Sequence, residues 1–322
     1  MSQTMKAVLF DRFGGPDVLY VGRVPRPEPA PGEVLVRVRA LSVNGGELTA
    51  RSGRVAFVTG RKFPQRTGLD FTGEVVASGP GEAGHGEGIR IGDRVWGVLG
   101  RTFGSAAEYV TVRPDRLGRV PDGLDLVAAA ALPVGTTAIT ALRDKAALRP
   151  GERLLVRGAA GGVGNVAVQL GRARGAEVTA LARAANLDFV RELGARHAVD
   201  HRTVRPHELG RFDVVLDTVG TDLRTYRSLL KPGGRMVTVA FDLNRPAASL
   251  GYIAGSAVHG RGRVRFFSGN PRRPLFDDLA GYAAKGTLRP AVDTVFPLEG
   301  IGEAHRALEA GGVRGKYVVR VD

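Results

Sequence analysis

Between residues 33 and 39 apolar and polar side chains alternate. Val34, Val36 and Val38 share one face, and Glu33, Leu35, Arg37 and Arg39 the other, which is the period of a half-buried strand. Pro25, Pro27, Pro29 and Pro31 precede it and exclude a central strand there. Short runs of similar character at 71–78, 94–99 and 107–112 are each bounded by Gly, Pro or Asp. Together they predict a compact, mostly antiparallel β domain over residues 1–124. The glycine-rich run 79–88 reads as a wide turn.

Beyond residue 122 the period changes. A helix is predicted over 125–132, interrupted by Pro133 and resumed over 135–147. Then follow a strand at 153–157, a helix at 163–174, a strand at 177–182, a helix at 187–193 and a strand at 197–200. A strand at 212–217, a helix at 223–230 and a strand at 235–241 complete the run. Strands alternating with helices of this length predict an α/β domain over 125–267, built on a doubly wound parallel sheet. The segment 264–267 reads as its edge strand. The last stretch, 268–322, carries helices at 275–285 and 302–310 and a strand at 316–321.

Composition narrows the chemistry. The 322 residues contain no cysteine, which excludes disulfides, thiolate catalysis and cysteine-ligated metal. The 46 basic residues outnumber the 32 acidic ones by 14. Arginine is scattered along the chain, and no base-reading motif accompanies the charge, so a dedicated nucleic-acid partner is not expected. No apolar tract is long enough to span a membrane, and the opening residues lack a signal-peptide pattern. A cytoplasmic protein is expected.

The strongest chemical signal is Gly158-Ala159-Ala160-Gly161-Gly162-Val163-Gly164, directly after the strand Leu154-Leu155-Val156 and opening a helix. That context is what a dinucleotide fingerprint requires. Gly161 lets the backbone approach a pyrophosphate, and Gly164 lets helix and strand pack closely. The free N–H groups from Ala160 through Gly162 and Val163 then face the phosphates. NAD sites carry an acid at the end of the second strand to bind the ribose hydroxyl. Here Ala182 is followed by Arg183 instead, and a guanidinium suits a 2′-phosphate. NADPH is therefore the expected cofactor. Asp217-Thr218-Val219-Gly220 and Val239-Ala240-Phe241 end parallel strands, so Asp217, Val219, Val239 and Phe241 are expected to line the cofactor crevice.

At the level of motifs the chain resembles the medium-chain dehydrogenase/reductase superfamily in its zinc-free quinone oxidoreductase branch. The pieces that carry the resemblance include Pro31-Gly32-Glu33-Val34, Gly68-Leu69-Asp70-Phe71-Thr72-Gly73, Gly92-Asp93-Arg94-Val95, the fingerprint loop and Gly315-Lys316. The stretch from Phe63 to Gly73 is similar to chloroplast-envelope quinone oxidoreductase-like proteins of plants. The resemblance implies a GroES-like catalytic domain into which a Rossmann-type domain is inserted, with residues 268–322 returning to the catalytic domain and the active site in the cleft. It also implies a homodimer through the edge strand.

The resemblance places Asn44 where zinc relatives have a cysteine ligand and Leu69-Asp70 where they have His-Glu, so no metal site is expected. His197 and His201 are four residues apart in an extended segment, roughly 13 Å and too far for one ion. Asn44 and Thr49 are expected to face the nicotinamide, although Thr49 stands where quinone reductases often have tyrosine. Asp70 is expected to act as a hydrogen-bond anchor or as a base. Thr137, His201 and Lys316 are placed with the cofactor residues by the same resemblance, His201 alternatively as a turn histidine, and Phe267 reads either as packing on the cofactor or as core. The basic segment Arg51, Arg54, Arg61, Lys62 and Arg66 is expected either to edge the cleft or to be an exposed loop.

Without a Lewis acid, hydride transfer needs an acceptor that is already electrophilic, such as a quinone or an α,β-unsaturated carbonyl. An enoyl reductase acting on a biosynthetic, polyketide-like intermediate would use the same machinery. A protein that holds NADPH without turnover and binds RNA is the reading from another class.

Overall fold

The computed structural model describes residues 3–80, 88–100, 102–258 and 262–321. The turn expected across 79–88 falls outside the described residues from 81 to 87. Two compact units emerge, Met1–Val134 with Asn270–Asp322, and Gly135–Gly269. The helix Leu126–Ala129, assigned from the sequence to the second domain, packs within the first unit. Asp125 caps it by accepting from the Ala128 amide at 2.9 Å, and Thr72 donates to the Leu126 carbonyl at 2.7 Å.

The first unit is antiparallel in the main. A seven-stranded sheet runs Val292–Pro297, Lys316–Arg320, Val34–Ser42, Asp70–Ser78, Arg94–Val98, Leu117–Arg119, with Tyr109–Val112 also paired to Val34–Ser42. Its core gathers Val34, Val36, Val38, Phe71, Val95, Leu117 and Val319. Leu35, expected on the polar face, is buried as well. A second sheet pairs Thr4–Phe10 with Tyr20–Pro25 and Gln65–Arg66. Trp96 is fully buried in the sheet.

The second unit is an all-parallel sheet. Its spatial order is His197–Asp200, Glu177–Ala182, Arg153–Arg157, Phe212–Asp217, Leu230–Thr238, Val264–Phe266. In chain order this is 3-2-1-4-5-6, the doubly wound arrangement whose ligands bind beyond the carboxyl ends of the strands. Four strand ranges match the sequence reading residue for residue, 153–157, 177–182, 197–200 and 212–217.

Three elements differ in extent or type. The helix expected over 223–230 stops at Arg227, and Leu230 already begins the next strand. That strand ends at Thr238, not Phe241, because the Thr238 hydroxyl turns the chain by bonding the Ala240 carbonyl at 2.6 Å. The helix expected over 135–147 is α-helical only over Gly135–Ile139. It widens to a π-helical turn over Thr140–Lys145, with the Ala146 amide on the Ala141 carbonyl at 2.9 Å.

Candidate functional site

In the first unit, Asn44 ends an extended segment and caps the short helix Gly45–Arg51. Its amide nitrogen donates to the Ser42 carbonyl at 2.9 Å, to Glu47 Oε1 at 2.9 Å and to Asp70 Oδ2 at 3.1 Å. Its oxygen accepts from the Lys316 ammonium at 2.6 Å, and Lys316 also donates to the Val43 carbonyl at 2.8 Å. Asp70 accepts from the Ser42 amide at 2.7 Å and the Ser42 hydroxyl at 2.5 Å. Glu47 Oε2 accepts from the Thr67 hydroxyl at 3.3 Å.

Glu47, Asp70 and Lys316 are all buried, so their charges act through protein and are little screened. Burial, with Asp70 beside it, pushes the Glu47 carboxyl up to about 7. Burial also raises Asp70 and lowers Lys316. The network extends inward. His305 Nε2 lies 3.9 Å from Glu47 Oε2, yet neither ring nitrogen of this buried histidine has a hydrogen-bond partner. Burial and the neighbouring Arg51 hold His305 down to about 3, so it is neutral.

Of the residues expected from the sequence, Asn44 and Asp70 therefore stand together, with Asp70 anchoring Ser42 and Asn44. Lys316, expected among the cofactor residues, joins this network instead. Thr49 points its hydroxyl back to the Gly45 carbonyl at 2.9 Å within its own helix. Sequence reading missed Glu47, Ser42 and His305. Asn44-Gly45-Gly46-Glu47 has the spacing of a helix-capping pair, a signal that could have singled out Glu47. Arg51 departs from its expected basic loop. It is buried, paired with Glu309 and bonded to the Gly14 carbonyl at 3.1 Å, while Arg54, Arg61 and Lys62 remain exposed.

In the second unit, Gly158 takes a positive φ of 70° and turns the chain out of the strand Arg153–Arg157. The twelve-residue helix Gly162–Ala173 follows, with Gly161 as its cap. A Cβ on Gly164 would sit 2.1 Å from the Gly158 carbonyl oxygen, whereas one on Gly161 would meet that oxygen at 3.4 Å. Gly164 is thus required by the helix packing on its own loop, and Gly161 is not. Asn165 holds the turn by donating to the Gly161 and Gly162 carbonyls at 2.9 and 2.8 Å. Ala160 is buried beneath this loop, and Gly161, Gly162 and Val163 are partly exposed. An open glycine turn at a helix start fits a dinucleotide pyrophosphate.

Around that loop, Arg183 follows the second strand directly, and His201 follows the third, its Nδ1 2.8 Å from the Ala182 carbonyl oxygen. Asp217 does not face outward as expected. It is fully buried, pairs with Arg157 at 2.6 Å and accepts from the Gly220 amide at 2.8 Å and Thr238 at 2.9 Å. Asp217 therefore shapes the loop from below, and the exposed apolar residue there is Val219, at 46%. Val239 is tied to Asp217 by its amide at 3.1 Å. Phe241 meets Phe266 edge-on at 5.6 Å, while Phe267 lies under Lys145 at 5.9 Å. Thr137 lies where a Cβ on Gly269 would meet its hydroxyl at 3.1 Å.

A catalytic zinc needs several donors turned toward one point. Among the described residues no group of three His, Cys, Asp or Glu could hold a metal ion. The carboxylates of Glu47 and Asp70 are directed instead to Asn44, Ser42 and Thr67, with the Lys316 ammonium among them. His197 is bonded to Glu177 at 3.1 Å and His201 to Ala182, so the two histidines serve different neighbours. These residues do not fit a zinc ion. Among the described residues no helix is long and apolar enough to cross a membrane.

Comparison with known proteins fits both units. Residues 30–122 match the alcohol dehydrogenase GroES-like domain family, and residues 193–319 the family described as zinc-binding dehydrogenase. The chain is 30% identical to human mitochondrial NAD(P)H oxidoreductase RTN4IP1, over 99% of this chain and 90% of that protein. It is 28% identical to the chloroplastic quinone-oxidoreductase homolog of Spinacia oleracea, over 99% of both. The solved quinone oxidoreductase of Coxiella burnetii superposes with a TM-score of 0.89 at 31% identity, over 99% of this chain and 100% of that one. The chain belongs to the medium-chain dehydrogenase/reductase superfamily, as a quinone oxidoreductase-like member of this nicotinamide-dependent oxidoreductase family.

Proposed function

We propose that this protein catalyses NADPH-dependent, metal-independent hydride transfer to a quinone or an α,β-unsaturated carbonyl. The observation that carries the reading is the Asn44 side chain. The motif resemblance sets it where zinc relatives have a cysteine, and it is locked by Lys316 on one side and by Glu47 and Asp70 on the other. A hydrogen-bonded amide is no Lewis acid, so the acceptor must bring its own electrophilicity.

When bound, NADPH supplies the hydride. Gly162 and Val163 offer backbone N–H groups to its pyrophosphate, while the Gly161 amide is held by the Gly158 carbonyl at 3.0 Å. Arg183, at the end of the strand Glu177–Ala182, favours the 2′-phosphate of NADPH over the bare hydroxyl of NADH. The buried Lys316 ammonium holds the Asn44 side chain in place through its oxygen at 2.6 Å. Self-association through the edge strand Val264–Phe266 belongs to the same reading, and a sedimentation mass at the monomer value would remove it.

Stopped-flow oxidation of NADPH against quinones, alkenals and enoyl thioesters tests the proposal. Fast turnover with quinones or alkenals is expected. Turnover confined to enoyl thioesters would instead identify an enoyl reductase of biosynthetic intermediates. No oxidation with any acceptor, alongside tight RNA binding, would favour a non-catalytic NADPH-holding protein.

A further inference from the structure

Residues 48–69, which run from the helix Gly45–Arg51 to the strand Asp70–Ser78, carry five cations and no acid. Two of these cations are used by the fold. Arg51 is paired with Glu309, and Arg66 donates to the Gly104 carbonyl at 2.9 Å. Arg54, Arg61 and Lys62 are exposed, and among the described residues their side chains have no hydrogen-bond or ion-pair partner.

The apolar side chains of this stretch divide. Phe63 packs edge-on against Phe13 at 5.0 Å and Phe10 at 6.0 Å. Gly53, at a φ of 78°, closes on the Phe13 ring, where a Cβ would come within 2.8 Å. Gln65 ties the other side by donating to the Gly60 carbonyl at 3.0 Å. On this anchored stem stands the one-turn helix Ala56–Thr59. Ala56 is buried, but Phe57 and Val58 are 85% and 58% exposed. An outward phenyl ring between unpaired cations gives the stem an amphiphilic tip.

The size of the tip selects its partner. A stable protein interface takes about 800 Å² and 20–30 residues from each side, and residues 54–62 are only nine. At 85% exposure Phe57 also has no neighbours beside it to form a groove for a partner's side chain. A bilayer requires neither area nor groove. Its interface takes up aromatic and aliphatic side chains and, when anionic, attracts Arg and Lys held close to it. Docking of this kind needs no membrane-spanning helix.

We propose that residues 54–62 dock the protein on an anionic lipid surface, with Phe57 and Val58 entering the interface and Arg54, Arg61 and Lys62 facing the headgroups. The docking is independent of the proposed hydride transfer. Flotation of the full chain with vesicles of phosphatidylcholine, alone or mixed with phosphatidylglycerol, tests it. Binding is expected on the anionic vesicles only, weakening as salt rises. Arg61→Glu combined with Lys62→Glu should weaken it by at least about tenfold, and Phe57→Ser by about tenfold. Arg149→Glu combined with Arg245→Glu, in the other unit, removes the same net charge and should retain binding. All five positions are exposed, so unchanged thermal midpoints should accompany these effects. Emission from Phe57→Trp should shift to the blue when anionic vesicles are added. No binding to anionic vesicles, equal binding to neutral ones, indifference to Phe57→Ser, or equal loss in the Arg149 and Arg245 variant would overturn the proposal. Without vesicle binding, saturable binding of polyglutamate would assign the tip to an acidic protein, and self-association lost in Phe57→Ser would assign it to a second copy.

Discussion

The Lys316 ammonium is bonded to the side-chain oxygen of Asn44 at 2.6 Å, joining residues 272 positions apart in the chain. The last strand, Lys316–Arg320, pairs antiparallel with Val34–Ser42, and that pairing brings the lysine beside the turn at Val43 and Asn44. Glu47 and Asp70 then balance it through Asn44. Removing one partner of a buried ionic cluster strands the others. Lys316→Met should therefore cost about 3–5 kcal/mol in denaturant unfolding. A loss below about 1 kcal/mol would show that the carboxylates do not depend on it.

Glu47 gives the network a pH dependence of definite sign. The groups around it are Asp70, Lys316, His305, Asn44 and Thr67. Its carboxyl lies at about 7 in the fold against an ordinary 4.5, so the folded chain holds that proton more tightly than the unfolded one. Its contribution to stability is complete below pH 4.5 and is lost as pH rises through about 7. The stability difference between wild type and Glu47→Gln should therefore fall by about 3 kcal/mol across this window. A flat difference would contradict the assignment.

His305 is held neutral, with neither ring nitrogen satisfied. Leaving buried polar atoms unpaired costs about 1–3 kcal/mol. His305→Leu, similar in size and apolar, should raise stability at pH 7 by that order, read by chemical denaturation. Destabilisation would mean that the ring makes an interaction essential to the fold.

The two glycines of the cofactor loop should separate in their effects. Gly164→Ala places a methyl against the backbone at Gly158 and Ala159 and should destabilise the protein by about 1–3 kcal/mol. Gly161→Ala meets only an ordinary contact at 3.4 Å. It should leave stability within about 0.5 kcal/mol while raising KM for the nicotinamide cofactor. Equal effects on stability would show that Gly161 also serves packing.

What could be read from the chain follows from how local the physics is. The strand ranges 153–157 and 177–182 were legible because apolar runs end there at Gly158 and Arg183 and restart after short helices. The fingerprint was legible for the same reason, since Gly164 answers to the backbone of Gly158 and Ala159 a few residues away. Arg51 looked like one more surface charge because its partner, Glu309, is 258 positions distant. Glu47 was not singled out, because only the arrival of Thr67, Lys316 and His305 from remote segments gives it its partners. Asp217 was placed at the right strand end but facing the wrong way, because its partner Arg157 sits on the neighbouring strand.

The most direct measurement of the proposed activity is steady-state oxidation of NADPH and of NADH with one quinone acceptor, by protein dialysed exhaustively against a chelator. Turnover should be undiminished after dialysis, with a strong preference for NADPH that Arg183→Ala abolishes. Activity lost on chelation and restored by zinc, or equal use of both cofactors unaltered by Arg183→Ala, would contradict it.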